Sequence, residues 1–145
     1  MSDSLARILK TKAPLTLAGV PAGFLPWLAA DLARVAAGTG QGGRAVIIAA
    51  DEAAMRALQD TVPVFAPEVE VLTFPAWDCL PYDRASPALR VMAERLATLE
   101  KLQGKGKGPQ LLITTENAAT QRILFKGSDG RCGSPLNIKF SAPKS

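Results

Sequence analysis

The sequence predicts an α/β fold built on a parallel sheet with helices on its faces. Three observations predict it. Short apolar runs alternate with segments whose apolar residues recur at helical spacing. The run Ala45-Val46-Ile47-Ile48-Ala49 is continuously apolar, as expected of a strand covered on both sides. Apolar residues make up 48% of the chain, enough for a core, and charged residues only 21%, which argues against global disorder.

The elements follow in order. Residues 4–12 read as a short lead helix, and Leu15-Thr16-Leu17-Ala18 as a first strand. Gly19 to Gly23 is a turn containing Pro21. Phe24, Leu25, Leu28, Leu32, Val35 and Ala36 recur at helical spacing to about Ala37, with Pro26 in the first turn, where a missing N–H costs little. Gly38 to Gly43 breaks the chain before the strand Ala45–Ala49. Asp51 stands at an N-cap position, and the helix it opens is expected to stop before Pro63. Val69 to Phe74 is the next strand. Ser86 and Pro87 read as the cap and first residue of a third helix. Leu89, Met92, Leu96 and Leu99 are expected on its apolar face, with Arg90, Glu94, Arg95 and Lys101 largely elsewhere. Gly104 to Pro109 is a flexible connector carrying Lys105 and Lys107. Gln110 to Thr114 is a fourth strand, and Glu116 to Arg122 begins another helix.

The pattern divides the chain into an α/β module at 1–122 and a tail at 123–145. After Ile123-Leu124-Phe125 the tail is rich in Gly, Ser, Pro and Lys without a period, and disorder is the expectation for it. Charge divides in the same place. Residues 1–122 hold 13 Lys and Arg against 12 Asp and Glu, whereas the tail holds Lys126, Arg131, Lys139 and Lys144 against Asp129 alone. The net charge of +4 is therefore mostly the tail's and is no nucleic-acid footprint of the module. The beginning of the chain does not read as a signal peptide, and no stretch reads as a membrane span, so a cytoplasmic location is expected. Cys79 and Cys132 are the only cysteines and read as reduced thiols.

The chain has no histidine, which removes Ser-His-Asp and Cys-His catalysis and every His-containing zinc site. The turn Gly19-Val20-Pro21-Ala22-Gly23-Phe24-Leu25-Pro26 occupies the place of a phosphate loop. Such a loop needs a Lys for the β and γ phosphates and a hydroxyl for magnesium. Leu25 and Pro26 stand at those two positions, so the turn is expected to bind no nucleotide. Asp78 and Asp83 suggest paired carboxylates, but a role in the turn and in bonding loop amides fits them better. Trp77 and Tyr82 could stack on a base, though packing a loop on its own domain is the commoner use.

Phe74-Pro75-Ala76-Trp77-Asp78-Cys79-Leu80-Pro81-Tyr82-Asp83 is followed by Ser86-Pro87, Arg95-Leu96-Ala97-Thr98-Leu99, Thr114-Thr115-Glu116-Asn117-Ala118 and Gln121-Arg122. Over about residues 10–122 this combination resembles the N-terminal module of the bacterial transcription-repair coupling factor family. Its signature positions here are Trp77, Asp78, Leu80, Pro81, Tyr82, Asp83, Arg95 and Leu96. The resemblance implies a partial P-loop-like sheet, similar to the first domain of the excision-repair helicase UvrB, with a degenerate nucleotide site at Gly19, Gly23, Leu25 and Pro26. The full-length family uses ATP and magnesium, acts on DNA and stalled RNA polymerase, and recruits UvrA in transcription-coupled excision repair. From Ile123 onward the resemblance ends. The expectation is therefore a truncated or fragmentary copy that is not itself an enzyme, binds no cofactor or metal, and lacks the family's partner-binding domains. A small nucleic-acid-binding protein using the basic tail is the alternative. A small enzyme resting on Asp78 and Asp83 ranks last.

Overall fold

The computed structural model describes residues 16–38, 44–78, 88–104 and 108–120. A 3-10 turn at Ala22–Phe24 leads into helix α1 (Leu25–Gly38). Strand β1 (Arg44–Ala49), helix α2 (Glu52–Phe65), strand β2 (Glu70–Phe74), helix α3 (Leu89–Gln103), strand β3 (Gln110–Thr115) and the short helix α4 (Glu116–Thr120) follow. The three strands form one sheet in the order β1-β3-β2, all parallel. The fold is thus α/β, with a parallel sheet flanked by helices.

Alternation along the strands gives each face its own core. Ala45, Ile47, Ala49, Val71, Leu111 and Ile113 face α1 and α2, joined there by Ala29, Ala30 and Ala33 of α1 and Met55 and Val62 of α2. Leu72, Phe74 and Leu112 face the other way, with Ala118 of α4 and Leu99 and Leu102 of α3. Met55, Val62, Leu111 and Ile113 are fully buried, each worth about 1.5–3 kcal/mol in transfer from water.

The expected strand at Leu15–Ala18 is not one of the three. Thr16 to Ala18 has no regular structure and Leu17 is half-exposed; Leu15 lies outside the described residues. So short a run gains strand character only from a neighbour to pair with, and none of the described strands pairs with it. The helical lead segment, the rest of the Gly-rich break at 39–43, the centre of the connector at 105–107 and the 123–145 tail also lie outside the described residues.

The helices differ from expectation in which face they bury. In α1 the small residues Ala29, Ala30 and Ala33 meet the sheet, while Phe24 and Leu25 are exposed. Helix α2 has the expected cap, Asp51 Oδ1 accepting from the Ala54 N–H at 2.7 Å. It runs through Pro63 to Phe65 rather than stopping short. Pro63 lies in the last turn, so it removes one helical bond only. Val62 beside it is buried, and the Ala66 N–H still reaches the Val62 carbonyl at 2.9 Å.

In α3 the correction is larger. Leu89 is 78% exposed and Leu96 is 64% exposed, whereas Val91, Arg95 and Thr98 are buried. The helix is rotated so that a stripe at i, i+4 and i+7 containing two polar residues faces inward. Burying Thr98 and Arg95 is offset by specific bonds. The Thr98 hydroxyl donates to the Thr73 carbonyl at 2.6 Å, joining α3 to β2.

One expectation about β1 also fails. Val46 and Ile48 are each 46% exposed, so β1 is covered on the α1/α2 side but only partly on the other.

Candidate functional site at the carboxyl ends of the strands

In parallel α/β sheets, ligands gather beyond the carboxyl ends of the strands. Three pieces of chain follow strands here, Asp51 after β1, the segment 75–78 after β2 and Thr115-Glu116 after β3, and the turn at 19–26, which follows no described strand, opens α1.

The turn is the phosphate-loop-like segment. Gly19 has φ +71°, a left-handed conformation that favours glycine. Beyond it, two of the amides are taken within the turn. Phe24 N–H donates to the Pro21 carbonyl at 2.9 Å and Leu25 N–H to the Ala22 carbonyl. Pro21 and Pro26 have no N–H at all. Leu25 is 43% exposed and Pro26 is buried, and the Phe24 and Trp27 rings lie 4.8 Å apart at the helix start.

The strand ends have internal bonds of their own. Asp51 caps α2. Thr114 Oγ1 donates to the Phe74 carbonyl at 2.8 Å, tying β3 to the end of β2. Thr115 Oγ1 accepts from the Ala118 N–H at 3.3 Å and caps α4. Asp78 accepts from the Ala88 N–H, with both carboxylate oxygens at 3.2 Å. Ala88 is the N-cap of α3 and has no side chain able to cap; Asp78, ten residues upstream, accepts from its N–H, the bond that the reciprocal acid of a capping box makes.

The centre of the region is Arg95. Its guanidinium lies 4.0 Å from the centroid of the Phe74 ring and 4.3 Å from that of Trp77. It also donates to the Pro75 carbonyl at 2.5 Å. The charge is thus held by two aromatic faces and a carbonyl, with only 3% of the residue exposed. Burial pulls its pKa down to about 10, still far above neutral, so the group stays cationic.

Next to it, Glu94 receives Arg56 Nη1 at 2.6 Å, Arg56 Nη2 at 3.0 Å and Thr73 Oγ1 at 2.6 Å. Hydrogen bonding from Arg56 is the main cause that holds the Glu94 carboxyl below the usual carboxylate range. The same pairing raises Arg56. The sequence places Glu94 and Arg95 on the solvent side of α3; both are instead used to join elements.

Of the signature residues, the structure brings Trp77, Asp78 and Arg95 together around the segment leaving β2. Leu96 points into solvent. Leu80, Pro81, Tyr82 and Asp83 lie outside the described residues, as do Ser86 and Pro87. Among the described residues no three His, Cys, Asp or Glu side chains converge as metal ligands. No described helix is long and apolar enough to cross a membrane. Sequence reading misses the Arg95 cage and the Arg56–Glu94–Thr73 link. The available signal is the 91–95–98 stripe on α3, which its two polar residues disguise.

The fold and this region define a parallel α/β module in which Asp51, Asp78, Thr114 and Thr115, after the strands, are engaged in internal bonds. No family model matches the chain. The chain is 33% identical over 69 residues to the transcription-repair-coupling factor of Rickettsia bellii (strain RML369-C), a match covering 48% of this chain and 6% of the relative. It is thus distantly related to a transcription-repair-coupling factor and spans a small part of that relative's length.

Proposed function

We propose that the chain is a non-catalytic α/β module corresponding to the N-terminal, UvrB-like part of a transcription-repair coupling factor. On this reading its family role lies in transcription-coupled excision repair, and the chain contributes a folded unit rather than ATP-driven movement. The chemistry of the turn at Leu25 and Pro26 carries the reading. Leu25 and Pro26 supply neither charge nor hydroxyl, and the Phe24 and Leu25 amides are used within the turn. Such a turn offers ATP and magnesium little to hold. Family partners such as UvrA, RNA polymerase and DNA would then meet other parts of the whole protein.

Titration calorimetry with Mg-ATP tests this. The expected outcome is no saturable heat and no hydrolysis. Saturable binding that is lost in Gly19→Val or Gly23→Val would overturn it.

A further inference from the structure

One face of the sheet is covered unevenly. On β2 and β3, Leu72, Phe74 and Leu112 are buried together with Ala118 of α4, and Leu99 and Leu102 of α3 pack against them. On β1 the two residues of that face, Val46 and Ile48, are half-exposed. They stand in register beside Leu112 and Thr114, both of which are buried. The open patch is thus the continuation, over β1, of a face that is already a core on its other two strands.

The course of α4 indicates what covers it. The chain leaves β3 at Thr115 and turns back over this face, since Ala118 joins Leu112 in one buried cluster. There α4 lies against β1 as well as β3. Its five residues span about 7.5 Å, less than half the roughly 20 Å of a six-residue strand such as β1. The chain goes on as Gln121-Arg122-Ile123-Leu124-Phe125. Carried on in a helix, Phe125 falls seven residues after Ala118, on the same line and about 10.5 Å further from the carboxyl ends of the strands. Gln121 and Arg122 flank that line, and an arginine there can lay its methylenes on apolar surface while its charge stays in water. The other long segments outside the described residues join the fold elsewhere. Residues 1–15 lead into α1, on the opposite face, and residues 79–87 follow β2, which β3 separates from β1.

We propose that the chain beyond α4 lies on β1, with Phe125 packed against Val46 and Ile48. The basic residues that follow, Lys126 first, then leave the module near the amino ends of the strands, away from Asp51, Asp78 and Thr115.

Nuclear Overhauser spectra of the full chain test this. Contacts are expected from the Phe125 ring to the Val46 and Ile48 methyls, within one chain rather than between labelled and unlabelled chains in a mixture. Phe125→Ala should lower the folded-to-unfolded ratio in urea by roughly tenfold, and by less when Val46 and Ile48 are already alanine. Phe140→Ala, further along the tail, should leave the ratio unchanged. Because the alanine pair could weaken the strand itself, the Overhauser contacts of the unaltered protein give an independent reading. No contact from Phe125, contacts to Val46 and Ile48 from residues 1–15, from 79–87 or from a second copy instead, or a Phe125→Ala protein as stable as its parent would each overturn the proposal.

Discussion

Arg95 carries a full charge at a position 3% exposed, and its three neighbours explain why it is tolerated. The Pro75 carbonyl takes a hydrogen bond, and the Phe74 and Trp77 rings present their electron-rich faces. Removing the group leaves the Pro75 carbonyl without this donor and both rings without the atom between them. Arg95→Met keeps much of the apolar stem, yet should cost about 2–4 kcal/mol in urea unfolding. Arg95→Lys should recover only part of that, because an ammonium is compact and cannot lie flat between two rings. Trp77 emission should shift to the red in both variants. Equal stability of the three proteins would show that the cage contributes nothing.

At the level of elements, α3 is fastened at its start and along its side by polar groups of other segments. Asp78 receives the N–H of its N-cap residue, Ala88, and Asp78→Ala should cost about 0.5–2 kcal/mol and speed hydrogen exchange at Ala88, Leu89 and Arg90. Along its side, Glu94 takes hydrogen bonds from Arg56 of α2 and Thr73 of β2. Because the folded carboxyl titrates below its ordinary value, its contribution is complete above the usual carboxylate range and disappears as pH falls through the folded value. The urea midpoint should therefore drop as pH is lowered from about 5 to about 3, and less steeply in Glu94→Gln. Some slope should persist in the variant. Glu68 is also lowered, by its own backbone amide and by Arg34, and Glu70 by Lys101 and Gln110.

For the whole molecule, the legible part of the sequence is what depends on apolar runs. The strands at 44–49, 70–74 and 110–115 and the helices between them follow from run length and spacing, and Asp51 from its place before a helix. What is not legible depends on partners distant in sequence. Leu15–Ala18 has strand composition, but composition cannot say whether a neighbour exists to pair with. On α3 Leu99 packs inward as the pattern predicts, but Leu89 and Leu96 lose to Arg95 and Thr98, because Phe74, Pro75, Trp77 and Thr73 supply partners for those groups. The nucleotide turn is only partly legible. Leu25 and Pro26 can be read directly, but the use of the Phe24 and Leu25 amides within the turn needs coordinates.

One row across the sheet sets the alignment of the strands. Arg44, Gln110 and Glu70 are partners in register at the start of β1, β3 and β2. Gln110 bonds both neighbours, and Lys101 of α3 closes the row on Glu70 at 2.8 Å. Sliding a strand by one residue would turn its apolar face outward, so core burial alone forbids that error. Sliding by two would keep every side chain on its proper face, and apolar burial could not tell the difference. Arg44 would then sit beside Leu112, or Gln110 beside Val46, with polar groups stranded. This row is the molecule's zero mark: it rejects the one misalignment that the oil-and-water pattern cannot detect.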